Sequence, residues 1–199
     1  MLNLGAGTII GPNVESFGLV SVGDNCIIEG GALLGKPTID DQREWQKTIG
    51  DYAFYKELVT RKTIIGNNCI VGAGTSIYSG SKIEDNVEIE DRTRIGWDSI
   101  IQEGSRIMYS AQIFCRVEIG AGCAIAGFLC NDTKIGSRVS FFGTTCHVYR
   151  RLTLREEFIP AAAPVIEDDA IVGFGAVIVG GVTIGAGAIV EPNAIVTRD

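Results

Sequence analysis

The chain has 199 residues, room for one domain. Its net charge of −7 argues against a nucleic-acid partner, and no apolar run is long enough to span a bilayer. Met1-Leu2-Asn3 lacks the basic start of a signal peptide, so a cytoplasmic protein with no membrane partner is expected.

An aromatic content of 8% beside 26 glycines suits a narrow solenoid better than a layered globular core. The six cysteines contain no CxxC pair, so neither a zinc site nor any other metal is expected.

A six-residue period starts almost at once. Leu4, Ile10, Ser16, Val22, Ile28 and Leu34 share one phase, with Phe17 available where Ser16 is weak. Thr8, Val14, Val20, Cys26, Ala32 and Thr38 follow each of these at a second, smaller slot. The phase breaks over residues 39–64, which are charged and aromatic. We read this stretch as an excursion leaving the solenoid, either a functional loop or a flap shielding a strand edge.

The period then returns in its strongest form. Ile65, Val71, Ile77, Ile83, Ile89, Ile95, Ile101, Ile107, Ile113, Ile119 and Ile125 fall six apart without a miss. Six residues turn a helix by about 600°, which would scatter these side chains over several faces. In extended chain six is even, so every rung points to one side. Four residues after each rung comes a small or branched side chain, among them Cys69, Thr75, Ser81, Ser105 and Cys123. That offset is also even, so Cys26, Cys69 and Cys123 read as small core residues. Three straight pieces per coil make a triangular prism, with each residue paired to one eighteen positions on.

The next rung in phase is position 131, which is Asn131. The period shortens to four across Asn131-Asp132-Thr133-Lys134 before Ile135. This is either a corner adjustment or a polar group facing a site. From Ile135 and Phe141 the phase leads to position 147, which is His147, the only histidine. The repeat then dissolves over about 147–165, an arginine-rich second excursion. Ile166, Val172, Ile178, Ile184, Val190 and Val196 complete the ladder. The expected architecture is an all-β, three-sided parallel β-helix filling residues 1–199 as a single domain with two excursion loops.

This hexapeptide pattern resembles the left-handed parallel β-helix acyltransferase superfamily, over nearly the whole chain outside the excursions. Left-handedness is implied by the resemblance. The stretches Ala163–Gly173, Ala176–Gly185 and Ile195–Asp199 look like the closing coils of coenzyme-A-dependent members. That implies acyl-CoA, with acetyl-CoA as the expected form, bound between subunits of a homotrimer, with Phe174, Pro192, Thr197 and Arg198 as the matching cofactor-binding residues. Thr144-Thr145-Cys146-His147 resembles the Thr-x-Asn-His of galactoside and maltose O-acetyltransferases, which implies His147 as catalytic base. The same region resembles the Thr-Asn-Asp-x-Tyr-Pro-Arg of nucleotide-sugar N-acetyltransferases. It keeps Thr145, Tyr149 and Arg151 but lacks the Asn-Asp pair and the proline.

The resemblance therefore implies transfer of an acyl group to an amino or hydroxyl group of a sugar, nucleotide sugar or similar small molecule. Asn131, Asp132, Tyr149, Arg150 and Arg151 are the expected substrate-binding residues. A neutral imidazole is suited to taking the nucleophile's proton near pH 7. The competing reading of His147 is a polar corner residue. A γ-class carbonic anhydrase shares the fold, but its zinc needs three histidines per site and this chain supplies one. The alternative of a different class is a non-catalytic scaffold or assembly subunit that uses the prism's flat faces for docking.

Overall fold

The computed structural model describes residues 1–47, 59–147 and 162–199. Within them the strands form three parallel nine-stranded sheets, and each successive strand along the chain joins the next sheet in turn. The sheets are the three faces of a prism. The architecture is that of a parallel β-helix of hexapeptide repeats, as the six-residue period requires.

Pairing follows the expected offset. Lys82 pairs with Ile100 on the first face, Glu88 with Arg106 on the second and Arg94 with Gln112 on the third. The rungs point inward and are sealed from water from Ile28 to Ile178. Each coil covers the rungs of the coil before it, so the core is continuous along the axis.

The small slot has a polar task as well as a steric one. Ser81, Ser99 and Ser105 donate their hydroxyls to the carbonyls of Gly96, Phe114 and Gly120 on the next coil, at 2.9, 3.0 and 2.8 Å. Cys69 does the same toward Glu84 O at 3.1 Å. Hydroxyl and thiol side chains at this slot thus satisfy corner carbonyls that a buried strand end would otherwise orphan. Burial pushes the Cys69 thiol up to about 11, so it stays protonated in the core.

Corners are made by residues in the left-handed region. Twelve non-glycine residues among those described have positive φ, and Asn and Asp supply eight of them, including Asn68, Asn86, Asp98 and Asp132. Side chains staple one corner to the next. Asp24 N–H donates to Asn67 Oδ1, and Asn67 N–H donates to Asp85 Oδ1, each at 2.8 Å. These hydrogen bonds hold the Asp85 carboxyl below its ordinary range.

The register after Ile125 differs from the expected one. The rungs are Leu129 and Thr145, both fully buried, and not positions 131 and 147. Gln112 pairs with Phe128, and Phe128 with Thr144, so two coils have sixteen residues. The missing pairs are lost at the corner between the second and third faces, at Ala126-Gly127 and Phe142-Gly143. Glycine permits this tight corner: Gly127 has φ +89°, and a Cβ on it would lie 2.1 Å from Gly143 O. Asn131 and His147 therefore follow their rungs by two positions and sit at the next corner.

The first excursion opens with a helix, Ile39–Gln46, which the sequence reading did not anticipate. Thr38 and Asp41 form a reciprocal capping box that fixes its start. Trp45 on the helix packs with Phe17, Leu33 and Val59, pinning it to the outside of the third face.

Replacing a central rung, Ile107→Ala, should cost roughly 2–5 kcal/mol, because neighbouring coils cannot close the cavity. Ile100→Ala, at an outward position of the first face, should cost under about 1 kcal/mol. Urea denaturation of both variants checks this, and equal losses would contradict the inward assignment of the rungs.

Candidate functional site

Both excursions leave the prism at the same edge, between the third and first faces. The first departs after the strand Leu33–Lys36 and rejoins at Thr63–Ile65. The second departs after Thr144–Cys146 and rejoins at Val165–Ile166. Four strands of the third face lie between their points of departure.

His147 stands where the second excursion leaves. It is half-buried, with its Nε2 shielded from solvent. Reading along the edge, the equivalent corner positions are Trp97, Cys115, Asn131, His147, Gly180 and Arg198, each two residues past its rung. The Cys146 carbonyl accepts the Gly180 N–H at 2.8 Å, which fixes the backbone beside the imidazole. The returning chain lies against the next corner, since a Cβ on Gly181 would meet the Ala162 methyl at 2.9 Å.

The rung beneath this corner is polar. Thr145 Oγ1 accepts the Cys130 N–H at 2.8 Å and lies 3.1 Å from Thr133 Oγ1. The hydroxyl replaces the carbonyl that elsewhere receives this N–H, so a buried threonine is tolerated without an orphaned group. The ladder is thus altered directly before the histidine.

Asn131 and Asp132 occupy the preceding corner. Asn131 Oδ1 accepts the Cys115 N–H at 3.0 Å, the same stapling seen at Asn67. Asp132 has φ +63° and takes a two-pronged hydrogen bond from Arg116, Nε to Oδ1 at 2.6 Å and Nη2 to Oδ2 at 2.8 Å. That bond raises the Arg116 guanidinium above its ordinary value. Both side chains are therefore engaged in building the edge, one coil spacing from His147. Tyr149, Arg150 and Arg151 lie outside the described residues.

The four residues matched to cofactor binding fall into two groups. Phe174 is 78% exposed at the edge between the second and third faces, with Pro192 directly beneath Gly173 on the next coil. Thr197 and Arg198 follow the last strand, Ile195–Val196, toward the edge that carries His147. Arg198 is two coil spacings from His147, about 10 Å along the axis. The whole third face separates the two groups.

Two features of this region had no place in the sequence reading. Trp97 has Arg61 at 5.3 Å and Arg116 at 4.6 Å from its ring centroid. Arg61 also bridges Asp41 of the helix and Asp98 of the edge, at 3.1 and 3.3 Å, tying the first excursion down. On the third face, Tyr78, Arg94 and Phe114 stack in succession. Neither is signalled by the six-residue period, which leaves outward side chains unspecified. A groove of about 460 Å³ lies on the first face, floored by Gly120 and Gly136 and lined by Glu118, Lys134 and Glu167, away from His147. Among the described residues no group of three or more His, Cys, Asp or Glu side chains can hold a metal ion, and no helix is long and apolar enough to cross a membrane.

The sequence matches the family described as bacterial transferase hexapeptide (six repeats) over residues 62–96 and 163–198. Comparison with curated proteins finds no match. Among solved structures, the chain resembles the polysialic acid O-acetyltransferase OatWY, with 14% identity, TM-score 0.39, and coverage of 100% of this chain and 80% of that one. It resembles the UDP-N-acetylglucosamine acyltransferase of Campylobacter jejuni at 15% identity and TM-score 0.35, covering 100% of this chain and 66% of that one. It also resembles a perosamine N-acetyltransferase from Caulobacter crescentus, determined with CoA and GDP-perosamine, at 13% identity and TM-score 0.33, covering 86% and 71%.

All six cysteines are free, and Cys146 is the only one that is not buried. Burial first, and the nearby Cys130 second, raise its thiol above the ordinary range. Iodoacetamide should still label Cys146 ahead of the other five in the native protein, because the reagent must reach the sulfur and the other five are buried. Peptide mass spectrometry reads the site, and uniform labelling would contradict the burial of the core cysteines.

Proposed function

We propose acyl transfer from an acyl-CoA, acetyl-CoA in the first instance, for this parallel β-helix of hexapeptide repeats. The acceptor is an amino or hydroxyl group of a sugar, a nucleotide sugar or a similar small molecule, and the setting is cytoplasmic. The observation that carries the reading is the position of the only histidine: at the mouth of the second excursion, two residues past the buried Thr145 rung.

His147 takes the proton from the acceptor nitrogen or oxygen as that atom attacks the thioester carbonyl. A backbone N–H receives the developing oxyanion. The tetrahedral intermediate collapses with cleavage of the carbon–sulfur bond, and the imidazolium returns the proton to the departing sulfur. The products are the acylated acceptor and free CoA. Asn131, Asp132, Tyr149, Arg150 and Arg151 are the proposed acceptor residues. The Arg198 guanidinium suits a CoA phosphate.

The wide separation of Phe174 and Pro192 from His147 supports a site shared between subunits of a homotrimer. One subunit offers the edge with His147, and its neighbour offers the edge with Phe174. A single chain cannot bring the two together across its own third face.

A scaffold is the second reading. Ile9, Ile27 and Ile70 form an exposed apolar line on the second face, which an assembly subunit could use.

Acetyl-CoA should raise the melting temperature of the enzyme and leave that of a scaffold unchanged. His147→Ala should lower turnover by roughly 10²–10⁴ while preserving the melting temperature and oligomeric state. Turnover is read as free thiol released from acetyl-CoA with amino sugars and nucleotide sugars as acceptors. Undiminished turnover in the variant would remove His147 as the base.

A further inference from the structure

The third face carries a cation that the acyl-transfer reading does not use. Arg94 lies on the strand Arg94–Ile95, between strands that carry Tyr78 and Phe114. Its guanidinium carbon is 4.6 Å from the centroid of each ring. The two rings come from the coils on either side, so the guanidinium lies between them. Nη1 donates to Ile113 O at 3.3 Å, fixing the group's rotation. Phe128 extends the stack, with its centroid 4.6 Å from that of Phe114.

The charge around it is unbalanced. Lys36 Nζ sits 5.3 Å from the same Tyr78 ring, so two cations share one aromatic. Among the described residues, neither makes an ion pair with a carboxylate. Arg43, Arg61, Arg106, Arg116 and Arg138 all do. From the strand Leu33–Lys36 to the strand Ile195–Val196, the strand residues of this face include no Asp or Glu. The other two faces carry Glu84, Glu118, Glu88 and Glu90 outward. Among the described strands of this face, only the end strand Glu15–Ser16 carries a carboxylate.

We propose that the third face is an anion-binding site centred on Arg94, for a ligand bearing a phosphate or a carboxylate. Held between two rings and with Nη1 donating to Ile113 O, the guanidinium keeps further N–H donors, and a guanidinium fork matches two oxygens of an oxyanion. The rings hold the fork in place before the ligand arrives, so little side-chain freedom is lost on binding. Lys36 adds a second positive charge across Tyr78. The face is bounded along the axis by the helix Ile39–Gln46 at one end and by the departure of the second excursion at the other. The site is independent of acyl transfer: it needs neither His147 nor CoA.

Isothermal titration of the full chain at low ionic strength, with sodium pyrophosphate in one arm and sodium malonate in the other, tests this. Binding in either arm is expected, and the arm that binds distinguishes phosphate from carboxylate as the ligand's group. Arg94→Met keeps the stem between the rings and should weaken binding by about tenfold or more. Arg116→Met, which removes a guanidinium already engaged by Asp132, should bind as the parent does. If Arg94→Met fails to fold, Arg94→Lys keeps a charge but loses the fork, and it too should bind more weakly than the parent. Absence of binding to the parent chain in both arms would overturn the proposal. So would parental affinity in the folded Arg94 variant. A melting-temperature rise with acetyl-CoA that persists in the Arg94 variant separates this site from the CoA reading, whichever of the two fails.

Discussion

Everything in this molecule follows from the way one coil satisfies the next. No coil pairs its own strands with one another. The N–H of each strand residue reaches a carbonyl on the adjacent coil, and each inward isoleucine is covered by the rung above and below. Strand pairing and core burial are therefore one constraint, since a shift that broke the pairing would also turn the rungs outward. The corners bear the cost. A residue in the left-handed region is needed at nearly every turn, and Asn or Asp supplies it most often among the non-glycines.

Function has to be found where this constraint is relaxed. Two edges of the prism carry short corners only. The third carries both excursions, the helix that caps the outer face beside Leu33, and His147. Along this edge the corner residues also change character, from stapling amides to the stack of Trp97 with Arg61 and Arg116. The third face, flanked by this edge, carries the cluster of Tyr78, Arg94 and Phe114.

Much of the fold was legible in the sequence, because the six-residue period reports directly on which side chains face inward. The period also misled, since it was taken to be fixed. Counting sixes from Ile125 leads to Asn131 and His147, whereas the chain drops two residues at each of two glycine corners and uses Leu129 and Thr145. The glycines at 127 and 143 were the available sign. A threonine rung was hard to anticipate, because its acceptability depends on the Cys130 N–H lying across from its hydroxyl. The helix after Thr38 was signalled by Asp41 three residues on, a pattern overlooked amid the loss of the repeat. The Arg94 stack was not legible: it depends on outward side chains from three coils, which periodicity leaves unspecified. Counted in sixes, Asn131 and His147 fall on rungs, whereas both sit at corners two residues past their rungs, and the period does not show that Phe174 and Pro192 belong to the opposite edge.

The two excursions sit on a graduated scale. Strands of a parallel sheet repeat at about 4.8 Å, and five such steps part the strand before the helix from the strand before His147, about 24 Å in all. That length can change only by whole coils, because a partial coil would leave strands unpaired. A protein of this design therefore sets the reach between its two appended segments in fixed increments. Adding or removing one eighteen-residue unit lengthens or shortens the platform by one notch while leaving the chemistry at either end untouched.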